Sequence, residues 1–135
     1  MTIQIVGLHE IDAVWPLIAD GFVEVTKRCG DDLTSGELWQ MVRSGGAFLL
    51  VIIEGEKLRL STVVQFQRWA DGPVLRILSM AGEGLGDWGV QLKEYLSEMA
   101  RKGGAGRIVA EGREGWARIF DEPRKLRSTY VMEIS

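Results

Sequence analysis

The stretch "VLRILSMAGEGLGDWGVQLKEYLSEM", residues 74 to 99, changes its hydrophobic period once, and that change restricts the folds open to the chain. Val74 to Met80 reads as a strand. Gly82, Gly84 and Gly86 follow at alternate positions. Trp88, Leu92, Tyr95, Leu96 and Met99 then recur at the spacings of one helix face. Arg101, Lys102 and Gly103 close that helix with favourable charges and a stop. The glycines therefore stand at a helix N-terminus, where backbone N–H groups lack partners and the macrodipole is positive. Two readings of them stay open. They can let an anion such as a pyrophosphate reach the backbone without meeting a Cβ, or they can serve only a turn that needs positive φ.

Elsewhere the pattern is equally segmental. "IQIV" at residues 3 to 6 reads as a short strand. Ile11, Val14, Trp15, Ile18, Phe22 and Val25 form a buried helix stripe, with Pro16 tolerated near its start and Gly21 weakening its middle, which leaves a break or kink open there. Thr34 and Glu37 make a capping box, Leu33 and Leu38 a hydrophobic staple, and Gly45 a stop, which predicts a helix over 35–44. "AFLLVII", the turn "EGE" and "KLRLSTVVQF" read as a hairpin, "WADGP" as a further turn. "RIVA", a short helix around "EGWARIF" and a terminal strand "TYVMEI" complete the order β-α-α-β-β-β-α-β-α-β.

With 135 residues, 46% apolar and 26% charged, the chain suits one globular domain over 1–135 with a single core. A net charge of -3 gives no field for nucleic acid, which is not an expected partner. Cys29 is the only cysteine, so no intrachain disulfide forms. "MTIQIVGLHE" has no basic n-region or long apolar run, and Ala47 to Ile53 is too short to span a bilayer. A cytoplasmic protein without membrane contact is expected. No metal-ligand constellation and no nucleophile arrangement is visible, and His9 beside Glu10 reads as a solvated loop residue.

Order and loop together resemble the GNAT superfamily, the Gcn5-related N-acetyltransferases. Their diagnostic loop reads Gln or Arg, two residues, Gly, one residue, Gly or Ala. The matching stretch is Ala81-Gly82-Glu83-Gly84-Leu85-Gly86. "GREGWARIF" further resembles short phage-encoded GNAT-like proteins. The resemblance implies an α/β (α+β) fold, a mixed and mostly antiparallel sheet flanked by helices. Strand 74–80 is expected to run parallel to strand 107–110 and to splay from it at Met80. The implied cofactor is acetyl-CoA. Its pantetheine arm would meet backbone groups of Leu78, Ser79 and Met80, and its pyrophosphate would meet Gly82, Gly84, Leu85, Gly86, Asp87 and Trp88.

Three departures from the pattern bear on activity. Ala81 replaces the Gln or Arg. Glu83 and Asp87 flank the phosphate position, where each like charge at about 4 Å costs roughly 1 kcal/mol even in a watery site, although an acid at a helix start is also stabilising in itself. Phe120 falls where many relatives carry a tyrosine that protonates the departing thiolate, and a phenyl ring has no proton to give. Replacing Glu83 by Gln and Ala81 by Arg is expected to tighten binding of acetyl-CoA. Between Lys57 and Trp69 there is no acid to serve as base, and Glu111 is the best carboxylate available, though a surface glutamate opening a helix explains it as well.

Arg113, Arg118, Arg124, Lys125 and Arg127 bias the C-terminal segment positively, which reads as a solvated face or as a contact for an adenosine phosphate or an acidic partner. Trp69 and Trp116 are candidates for exposed partner contacts. Three readings follow. One is a GNAT-fold protein with acyl transfer weakened or lost and an accessory role through a protein-binding surface. The others are a working N-acetyltransferase and an unrelated α+β binding module.

Overall fold

The computed structural model describes residues 2–29, 33–82, 85–111 and 116–134. Strand β1 (Thr2–Ile5) leads through a 3-10 turn (Leu8–Glu10) into helix α1 (Ile11–Cys29), followed by α2 (Ser35–Arg43). Three strands follow, β2 (Phe48–Glu54), β3 (Lys57–Trp69) and β4 (Gly72–Gly82). Helix α3 (Leu85–Lys102), strand β5 (Arg107–Ala110) and the short α4 (Trp116–Ile119) end the regular structure. The five strands form one sheet in the order β1-β2-β3-β4-β5, antiparallel except for the parallel pair β4 and β5. This is the mixed sheet expected from the sequence.

Alternation along the strands builds two cores, one on each face. Leu49, Val51, Val63 and Leu78 pack with Ile11, Trp15, Ile18 and Phe22 of α1 and with Leu38 and Val42 of α2. Leu50, Ile52, Leu60, Val64, Leu75 and Ile77 pack with Trp88, Leu92, Leu96 and Ala100 of α3. The apolar stripes read from both long helices are thus the buried ones, each large side chain contributing on the order of 1.5–3 kcal/mol. Trp15 and Phe22, about two helical turns apart along α1, stack with ring centroids 5.4 Å apart.

Local signals hold where they are stereochemical. Thr34 is the N-cap of α2, its Oγ1 accepting from the Glu37 backbone N–H at 3.1 Å. Gly45 and Gly55 stand at φ +85° and +64°, ending α2 and turning the β2–β3 hairpin. His9 lies in the 3-10 turn with an exposed side chain 3.5 Å from Glu10.

One open alternative is decided and one expectation is corrected. Helix α1 runs unbroken through Pro16 and Gly21. Proline removes one backbone hydrogen bond, but the buried stripe on either side of it holds the helix to the sheet. The terminal strand "TYVMEI" is not formed: residues 123–134 have no regular structure, and Tyr130, Val131, Met132 and Ile134 are 82–91% exposed. Strand propensity is realised only against a neighbour. Here the side chain of Arg127 ties the segment to the domain through Glu111, without backbone pairing beyond it.

Candidate functional site: the cleft between β4 and β5

The β4–β5 ladder pairs Val74 with Arg107, Leu75 with Ile108, Arg76 with Val109 and Ile77 with Ala110, and ends there. The strands part three residues before Met80, the expected point. The cause is visible on the other side of β4. Val63 pairs with Ser79 but Val64 pairs with Ile77, so Leu78 is an extra residue in a β-bulge. A bulge bends its strand and sharpens the twist, and β4 turns away from β5 where it occurs. Beyond Ile77, β4 keeps β3 on one side and has no strand among the described residues on the other. Every second residue from Leu78 to Gly82 therefore offers N–H and C=O groups to the cleft.

The polar side chains at this point are unusual for a strand interior. Thr62 is fully buried and donates its hydroxyl to the Ser79 carbonyl at 2.8 Å. Ser79 is 6% exposed, and its Oγ has no hydrogen-bond partner. Such a buried hydroxyl costs roughly 1–3 kcal/mol. By register Ser79 shares the face of Val63 and Ala81, the side packed by α1 and α2. Met80 lies on the opposite face and packs with the α3 core.

The remaining sequence candidates fall into place unevenly. Trp88, itself on α3, is a core residue buried against the sheet. Leu85, Gly86 and Asp87 belong to the first turn of α3. Glu83 and Gly84 lie outside the described residues. Gly82 has a structural reason to lack a side chain: a Cβ there would lie 2.5 Å from the Arg59 carbonyl oxygen and 2.9 Å from Leu60 Cδ1 on β3. Ala81 packs with the α1-side core. Phe120 packs against the α3-side core.

Glu111 follows β5 directly, at the mouth of the cleft, on the same face as Arg76 by register. Its Oε1 accepts from Arg76 at 3.2 Å and from Arg127 at 2.7 Å. Arg127 also stands 5.3 Å from the Trp69 ring centroid, and Arg107 stands 5.6 Å from it. Trp69 is accordingly half-buried between two guanidinium groups, not an exposed contact. Sequence reading passed over Thr62, Ser79 as a side chain, and Arg76. The signal for Thr62 was "STVV", where polar residues stand inside an otherwise apolar strand buried on both faces.

Among the described residues no helix is long and apolar enough to cross a membrane. The sequence matches no family model and no curated protein. Its structure matches a Gcn5-related N-acetyltransferase from Ralstonia eutropha JMP134 with a TM-score of 0.68 and 15% identity, covering 96% of this chain and 97% of that one. A ribosomal-protein-alanine N-acetyltransferase from Brucella melitensis biovar Abortus 2308 matches at TM-score 0.64 and 13% identity, over 99% of each chain. An aminoglycoside acetyltransferase from an uncultured soil metagenomic sample matches at TM-score 0.69 and 11% identity, over 99% and 96%. With a mixed sheet, a parallel β4–β5 pair parted at a bulge and α3 leading from the end of β4, this chain has the fold of the Gcn5-related N-acetyltransferases.

Proposed function

We propose that the protein binds acetyl-CoA in the cleft between β4 and β5, that acyl transfer by it is weakened or lost, and that it acts as an accessory protein through its surface. The observation that carries the first part is the end of the ladder at Ile77, beyond which the cleft side of Leu78, Ser79 and Met80 has no strand among the described residues. A pantetheine arm, with its amides, matches that open edge, and the first turn of α3 suits its pyrophosphate. When bound, acetyl-CoA supplies a thioester: an amine nitrogen bonds the acetyl carbon, the C–S bond breaks, and the thiolate leaves while the amine gives up a proton.

The chain's own groups serve that proton traffic poorly. Phe120 has no proton to donate. Glu111 has Oε1 engaged by two arginines. The exposed apolar side chains of Tyr130, Val131, Met132 and Ile134 support an interaction role, since such side chains favour a partner over water. The likeness of "GREGWARIF" to phage-encoded relatives supports a phage-type accessory; its first residues, 112–115, lie outside the described residues. The second reading, an active N-acetyltransferase on a small-molecule or protein amine, is favoured by Glu111, a carboxylate at the mouth of the cleft.

Calorimetric titration with acetyl-CoA tests the binding, and release of free thiol with a panel of amines tests the transfer. The expected result is saturable binding, abolished by Gly84→Val in a folded protein, with no thiol above background. Absence of binding removes the proposal. Robust turnover by the unmodified protein establishes the second reading.

A further inference from the structure

On the sheet face opposite α3, beside the start of the cleft, β3, β4 and the C-terminal segment enclose an open hollow of about 620 Å3. Gln67, Trp69, Asp71, Arg76 and Arg127 line it. We propose that this hollow binds a small molecule through a single carboxylate, held by Arg76 and Arg127.

The charge balance is the first argument. Among the described residues, Arg76, Arg107 and Arg127 meet two carboxylates there, Asp71 on Arg107 at 2.7 Å and Glu111 on both other arginines. One positive charge is left over, which matches a monoanion and not a phosphate dianion. Arg76 is the second. Its side chain is 19% exposed and its Nε has no hydrogen-bond partner, so a buried charged donor is unmet. The third argument is preorganisation. Trp69 Nε1 donates to Gln67 Oε1 at 2.9 Å and Gln67 Nε2 to Gln65 Oε1 at 2.8 Å, which fixes the floor. The indole then holds the Arg127 guanidinium against its ring. Both guanidinium groups already donate to one carboxylate oxygen within the chain, Glu111 Oε1, and the fork of an arginine matches the two oxygens of a carboxylate. The proposal concerns binding alone and stands independently of acyl transfer.

The test uses hippurate, a monocarboxylate, and hippuramide, its neutral amide, as probes in nitrogen-15 NMR of the full chain. Hippurate is expected to shift the Arg76 and Arg127 Nε–H signals and the Trp69 indole signal saturably, and hippuramide is expected to leave them unmoved. Arg127→Gln, a change at a largely exposed side chain, should weaken hippurate about tenfold through loss of one charge-assisted contact. Arg101→Gln on α3, where the guanidinium pairs with Glu98, should leave the affinity unchanged. Equal shifts with hippuramide, tighter binding of inorganic phosphate, undiminished affinity in Arg127→Gln, or no saturation at all would each overturn the proposal. The last outcome marks the cluster as a solvated ion-pair network.

Discussion

Gly21 on α1 and Ala81 on β4 meet so closely that a Cβ on Gly21 would lie 3.1 Å from the Ala81 Cβ. The residue that departs from the glycine-loop pattern is thus a packing residue, fitted to a helix that lacks a side chain opposite it. A long side chain at position 81 has to displace α1 or leave the core.

Ala81→Arg is therefore expected to destabilise the fold by about 1–3 kcal/mol, as overpacked positions do. That cost opposes the electrostatic gain expected for the phosphate from the sequence. Urea unfolding measures the first effect and acetyl-CoA titration the second. An Ala81→Arg protein as stable as the parent would show that α1 yields freely at this contact.

Ser79→Ala is expected to raise stability, because it removes a buried hydroxyl with no partner while leaving the backbone carbonyl that Thr62 engages. The gain should be about 1 kcal/mol, at the low end of the cost of an unmet polar group. A fall in the urea midpoint would mean that the hydroxyl is satisfied in solution.

Gly103→Ala drives a methyl group into the Cζ–Cε1 edge of the Phe66 ring, which itself stands edge-on to Phe48 at a centroid distance of 6.4 Å. A loss of about 1–3 kcal/mol is expected, and Phe66→Leu in the same chain should recover part of it. Additive losses in that double-mutant cycle would refute the contact.

Thr34→Ala removes the N-cap of α2 and should cost about 1 kcal/mol by chemical denaturation. Thr34→Ser should cost far less, since the capping oxygen is kept.

Phe120→Tyr should not create thiol release from acetyl-CoA with any amine, because the ring packs with the α3-side core and Glu111 Oε1 stays engaged by its two arginines. Appearance of turnover in this single variant would place the missing acid, alone, at the root of weak transfer.

The amino-acid order by itself determined what depends on near neighbours. The stripes of α1 and α3, the capping box at Thr34 and Glu37, the stops at Gly45 and Gly103 and the strand "RIVA" are each set by spacing or by the stereochemistry of a few residues, and each is found in the fold. The mixed sheet was implied by the family resemblance that their order and the glycine loop carry. Tertiary structure alone decided what depends on residues distant in the chain. Ile77 and not Met80 ends the ladder because a bulge forms only when β3 and β4 pair in one register. "TYVMEI" has the propensity of a strand and gains no partner. Gly21 meets Ala81, and Glu111 meets Arg76 and Arg127, across 60, 35 and 16 residues of chain. Periodicity reports which face a residue occupies, whereas contact and charge pairing depend on how the faces are brought together, and that is settled only when the whole core packs.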